Sequence, residues 1–129
     1  MKILVANLGS STLKCRLLDM RSEKNLAKVF VERVGEKDAH AVWTDRTGST
    51  REQTLPVPTS ADAVALALRL LTDPRDGVLA GLAELDAVGF KPVCAKGITG
   101  CREMTDEVLA AMMEFAEYIC PMHNGIVVE

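Results

Sequence analysis

The chain begins with two short apolar stretches separated by a polar elbow. Ile3, Leu4, Val5 and Ala6 run together, as in a strand buried on both faces, while Leu13, Cys15 and Leu17 alternate with Lys14, Arg16 and Leu18, an approximate period of two. The pattern predicts a β-hairpin turning at residues 7–12. A third strand is expected over 26–34, and two shorter ones at 41–45 and 50–57 flank the glycine-containing turn Arg46-Thr-Gly-Ser49, a hairpin signal. Five short strands before any helix predict a sheet of about five strands, largely antiparallel.

Pro56 and Pro58 close that region. Ser60 is the expected N-cap of a helix over 60–72, with Asp62 in its first turn and Asp73-Pro74 as its stop. The stretch Ala63-Val-Ala-Leu-Ala-Leu-Arg-Leu-Leu71 is apolar nearly all round, which predicts a helix buried in a larger body. A short helix is expected within 76–85, a strand at 86–90 and a loop to Met104. Thr105 is the expected cap of a second helix reaching residue 119, where Val108, Leu109, Met112, Met113, Phe115, Ala116 and Ile119 form an apolar stripe ahead of Pro121. Methionines at that spacing read as core filler.

Composition narrows the function classes. The 129 residues, 48% of them hydrophobic, suit one ordinary domain with its own core. A net charge of −3 and only 4% aromatic residues argue against a nucleic-acid surface, which shows a basic excess with interleaved aromatics. Four apolar residues before Asn7 are too few for a signal-peptide core, and the apolar stretch 63–68 is too short to span a bilayer. A cytoplasmic protein without membrane or nucleic-acid partners is expected. Its cysteines, Cys15, Cys94, Cys101 and Cys120, are then expected as reduced thiols. The spacing of Cys94, Cys101, Cys120 and His123 matches no common structural zinc pattern, so no zinc site is expected.

The elbow carries the candidate chemistry. Asn7, Gly9, Ser10, Ser11 and Thr12 bring hydroxyl and backbone N–H groups into one small space, with a positive φ expected at Gly9, and Lys14 supplies a counter-charge. That set suits a phosphate. Asn, Gly and Ser also fill ordinary turns for backbone reasons, and spacing alone leaves both readings open.

Asn7-Leu-Gly-Ser-Ser-Thr-Leu-Lys14 resembles the Asn-x-Gly-Ser-Ser-Ser-x-Lys signature that opens acetate kinases, relatives of the sugar kinases and actin. Further stretches are similar to the same family in register: Leu26-Ala-Lys28, Val31-Glu-Arg-Val-Gly35, Leu71-Thr-Asp-Pro74, Gly77-Val78, Leu85-Asp-Ala-Val-Gly89, Thr105-Asp-Glu-Val-Leu109 and Pro121-Met-His-Asn124. The resemblance implies an α/β domain of ribonuclease-H-like architecture, a mixed sheet with flanking helices. It is the first of two domains around a cleft, with the nucleotide-binding second domain missing from this chain. The apolar run Ile126-Val-Val128, lacking a turn signal behind it, likewise reads as a chain that should continue.

The implied reaction moves the γ-phosphoryl of ATP, with Mg²⁺, to a short-chain carboxylate, giving an acyl phosphate and ADP. By that resemblance Asn7 matches the magnesium position, Ser10 and Thr12 the phosphate-loop hydroxyls, Lys14 a nucleotide-phosphate contact, Lys91 and Val93 the substrate segment, and His123 a catalytic histidine. Thr12 stands in place of Ser, keeping the hydroxyl. The substrate segment departs from the pattern. Phe90-Lys-Pro-Val-Cys-Ala-Lys96 stands where the family has His-Arg-Val-Val-His-Gly-Gly, so Lys91 keeps the charge of an Arg but loses its planar two-pronged grip. Gly125 replaces a Pro after His123-Asn124. The leading expectation is a phosphotransferase domain, inactive alone and a candidate for a homodimer. The alternatives are a re-purposed relative that binds phosphate or a protein partner, and a structural domain with no phosphate affinity.

Overall fold

A computed structural model describes residues 1–91 and 95–118, with side chains through Glu114. The chain divides into two units, residues 1–90 and residues from 91 onward, and each is described by itself.

The first unit is a six-stranded sheet built from β1 (Lys2–Leu8), β2 (Thr12–Asp19), β3 (Lys24–Glu32), β4 (His40–Thr44), β5 (Thr50–Thr54) and β6 (Ala87–Phe90), in the order β5-β4-β3-β2-β1-β6. The first five strands pair antiparallel with their neighbours in sequence, and β6 pairs parallel with β1. The sheet is therefore mixed, and it gains a sixth strand over the expected five. A parallel partner needs a crossover, and helix α1 (Ser60–Leu71) supplies it between β5 and β6.

The period of two in β2 places Leu13, Cys15 and Leu17 on one buried face. In register beside them lie Leu4 of β1 and Ala27, Val29 and Val31 of β3. Helix α1 covers this face with Ala63, Leu66, Ala67 and Leu71, all buried. The opposite face carries Asn7, Lys14, Arg16 and Lys28, all exposed.

Four local expectations are corrected. The apolar run of β1 is not buried on both faces: Leu4 is 4% exposed but Val5 is 39% exposed, because α1 covers only one side. For the same reason α1 is not buried all round, and Val64 and Ala65 face outward. Its N-cap is Thr59 rather than Ser60. The Asp62 N–H donates to Thr59 Oγ1 at 3.1 Å, and the Asp62 carboxylate accepts from the Thr59 N–H at 3.1 Å, the reciprocal capping box. Finally, 76–85 holds only a 3-10 turn at Leu82–Glu84. The chain there folds back on the end of α1, with the Gly77 N–H on the Asp73 carbonyl at 2.8 Å and the Leu79 N–H on the Leu71 carbonyl at 2.9 Å. A Cβ at Gly77 would lie 2.4 Å from the Asp73 nitrogen, so only glycine fits.

In the second unit, α2 (Asp106–Tyr118) begins where the sequence places it. Thr105 caps it, accepting the Val108 N–H on its hydroxyl at 3.4 Å and the Leu109 N–H on its carbonyl at 2.9 Å. Met112 is buried, as core filler should be, but Met113 of the expected stripe is 49% exposed, on the other side of the helix. Lys96 pairs with Glu114, and its N–H meets the Ala111 carbonyl at 3.3 Å. Among the described residues no helix is long and apolar enough to cross a membrane.

Candidate functional site: the β1–β2 hairpin tip

The hairpin closes through the Gly9 N–H, which donates to the Thr12 carbonyl at 2.8 Å and leaves Ser10 and Ser11 alone at the tip. Gly9 does not adopt the expected positive φ. Its requirement is space, because a Cβ there would sit 2.5 Å from Thr12 Oγ1. The glycine thus lets the Thr12 hydroxyl lie across the turn.

Asn7 and Lys14 are direct cross-strand partners, and Thr12 lies two residues from Lys14 on the same strand. Alternation puts all three side chains on the face away from α1. The Lys14 ammonium lies 5.3 Å from the centroid of the Phe30 ring, its neighbour on β3, a cation–π contact that steadies the charge without neutralising it. Lys14 forms no ion pair among the described residues. Next along the same face Arg16 stands opposite Lys28, while Glu32 stands opposite Thr12 nearer the tip, so the face carries three cations and a carboxylate.

At the tip, neither the N–H groups nor the hydroxyls of Ser10 and Ser11 donate to an acceptor among the described residues. Donors left free at a turn near a lysine are available to an anion. The Ser11 carbonyl is tied back, accepting the Val34 N–H at 3.0 Å. Behind the loop, burial pushes the Cys15 thiol up to about 11, which makes it a packing group rather than a nucleophile.

The hairpin therefore gathers four of the expected site residues: Asn7, Ser10, Thr12 and Lys14. β6 ends at Phe90 beside Ala6, and exposed Lys91 is the next residue in the chain and the first of the second unit. Val93 and His123, with Cys94 and Cys120, lie outside the described residues. Among the described residues no three His, Cys, Asp or Glu side chains group as they would for a resident metal. Two contributors escaped the sequence reading. Phe30 under Lys14 was signalled only by its place in the alternation of β3, and the Val34 tie to Ser11 had no local signal at all.

Comparison with known proteins bears on this site. The pattern of the Acetokinase family matches residues 2–129. An acetate kinase of Dictyoglomus thermophilum is 42% identical over 93 residues, covering 72% of this chain and 23% of its own. One from Desulfitobacterium hafniense is 38% identical over 125 residues, covering 96% of this chain and 31% of its own. The crystal structure of Porphyromonas gingivalis acetate kinase superposes with a TM-score of 0.83 at 31% identity, over 98% of this chain and 33% of that one. A propionate kinase from Francisella tularensis shares the fold with a TM-score of 0.80 at 19% identity. This chain spans less than a third of the length of the two curated relatives.

Proposed function

The chain belongs to the Acetokinase family, and from that membership we propose that it is the phosphate-handling domain of an ATP-dependent carboxylate kinase. Its fold is the mixed α/β sheet of the ribonuclease-H-like, actin-related class. The observation that supports the reading is the hairpin tip, where Ser10 and Ser11 present unpartnered donors next to Lys14.

The residues present fit a nucleotide phosphate. The N–H groups and hydroxyls of Ser10 and Ser11, with the Thr12 hydroxyl, donate to non-bridging oxygens, and Lys14 offsets their charge. Magnesium fits as an ion carried in with the nucleotide, because Asn7 offers one carbonyl oxygen and, among the described residues, no cluster of acidic or histidine side chains would hold it alone. Bound Mg²⁺ would neutralise charge on the phosphates being separated. Phosphoryl transfer asks little covalent chemistry of a protein, so positioning and charge neutralisation are what this hairpin contributes. By the same resemblance Lys91 would hold the acid as a single point charge, Val93 would belong to its pocket and His123 would be catalytic. The same reading carries a cytoplasmic location and a homodimer as expectations.

The test is a graft. This chain replaces the matching segment of the Desulfitobacterium hafniense relative, and acyl phosphate is trapped as hydroxamate. Activity is expected, with a KM for acetate that Lys91→Arg lowers by roughly one to two decades as bidentate gripping returns. Equal KM values in both grafts would remove Lys91 from the substrate site. They would favour the re-purposed reading, to which the divergent segment 90–96 already points.

A further inference from the structure

The segment Val31-Glu-Arg-Val-Gly35 matches the family in sequence, yet nothing in the proposed chemistry uses it. Its backbone is unusual. Arg33 has φ of 56° and Gly35 of 97°, and the left-handed region is sparsely populated by residues with a side chain. The Arg33 guanidinium donates from one Nη2 to both the carbonyl and the carboxylate of Asp38, and the Glu36 N–H returns to the Arg33 carbonyl at 3.0 Å. The conformation is thus held from two directions.

What that turn presents is two backbone donors. The Val34 N–H goes to the Ser11 carbonyl at 3.0 Å and the Gly35 N–H to the Val57 carbonyl at 2.8 Å. We propose that Arg33, whose left-handed conformation is braced at the surface by its contacts to Asp38, is a positioning residue for the phosphate loop, acting through the Val34 N–H on the Ser11 carbonyl. A trans peptide is planar, so fixing the Ser11 carbonyl toward Val34 fixes the Thr12 N–H in the opposite direction. That direction is the β1 side, where the Gly9 N–H meets the Thr12 carbonyl. The tip is therefore pinned from both neighbouring strands, and its free donors are preorganised rather than ordered at the moment of binding. Gly35 links the same turn to Val57, two residues before the cap of α1, so the loop rests on the framework of the unit.

The test rests on the phosphate reading for one readout and is independent of it for the other. In the ¹⁵N-labelled chain, inorganic pyrophosphate is titrated against the Ser10 and Ser11 amides, and hydrogen exchange is followed at the Val34 amide. A β-branched residue resists the left-handed region while glycine accepts it. If the competent loop falls to a tenth of the population, Arg33→Val weakens pyrophosphate about tenfold, whereas Arg33→Gly stays within about threefold of the wild type. Val34 protection is expected to drop in the valine variant and to persist in the glycine variant. Asp38→Ala, an exposed change that leaves the core alone, is expected to lower Val34 protection and to weaken pyrophosphate about two- to threefold; it carries the test should Arg33→Val fail to fold.

Val34 protection unchanged in Arg33→Val or in Asp38→Ala overturns the proposal, and so does an equal loss in the valine and glycine variants. If pyrophosphate moves no wild-type amide, the phosphate reading fails, and Val34 exchange still decides whether Arg33 sets the loop.

Discussion

Asp45 shows how much one side chain can organise. It follows β4 with 1% of its surface exposed, accepting the Thr47 hydroxyl at 2.6 Å and N–H at 2.9 Å, the Ser49 N–H at 3.0 Å and the Arg51 Nε–H at 2.8 Å. The Thr47 hydroxyl first, and then Arg51, hold its carboxyl well below the usual carboxylate range. A depressed folded pKa gives stability that is fully present above the unfolded value, about 3.9, and is lost as pH falls toward the folded value. Thermal melts between neutral and acid pH are expected to show Asp45→Asn as the less stable protein at pH 7, with the gap narrowing below pH 4. Parallel melting curves would show that the carboxylate contributes no acid dependence. The sequence displayed the Gly48 turn but not this anchor, because an Asp before a turn looks the same whether it is solvated or enclosed. Gly9 gives the same lesson. Its presence in the motif was plain, but its reason is the Thr12 hydroxyl rather than its φ, and only coordinates place that atom.

At the scale of elements, hairpins were the most legible part of the chain. Alternation in β2 identified the buried face, and the turn residues fixed where the strands reverse. Helix boundaries were less so, since Thr59 and Ser60 are both good caps and only the reach of Asp62 decides between them. Breaking that reciprocal pair by Thr59→Ala is expected to lower unfolding free energy by about 0.5–2 kcal/mol, measured by urea denaturation with an unchanged m-value. A loss below that range would mean that Ser60 takes over the cap. The short helix expected within 76–85 failed for a tertiary reason. The Leu79 N–H is taken by the Leu71 carbonyl and the Asp76 carbonyl by the Arg46 N–H, bonds that leave no helical ladder there and that local propensity cannot register. β6 was seen as a strand, but its parallel seat beside β1 depends on the crossover of α1 and lies beyond any local pattern.

In the sheet as a whole, Lys14, Arg16 and Lys28 share the face away from α1 with Glu32 of β3, and the hairpin tip sits at the end of that face. Four of the seven expected site residues come together because they occupy one contiguous motif on that hairpin. Lys91 is a single position in a divergent segment, and its relation to the tip is not a matter of local pattern. The chain spans less than a third of the length of the two curated relatives, and phosphoryl transfer rests on positioning and charge neutralisation around the whole reacting centre. This chain is therefore expected to form no acyl hydroxamate from ATP and acetate on its own. Turnover by the chain alone, abolished by Asn7→Ala, would show that one domain suffices.

The phosphate reading of the hairpin is tested most directly by titrating pyrophosphate into the unmodified chain while following backbone amides. Saturable shifts are expected at Ser10, Ser11 and Thr12, with small changes along β4 and β5. Lys14→Ala is expected to weaken the response by about tenfold, the loss of one charge-assisted contact, while leaving the apo spectrum of the sheet intact. Shifts spread evenly over Arg16, Lys28 and other basic positions, undiminished by Lys14→Ala, would contradict it and reduce the tip to an ordinary polar turn.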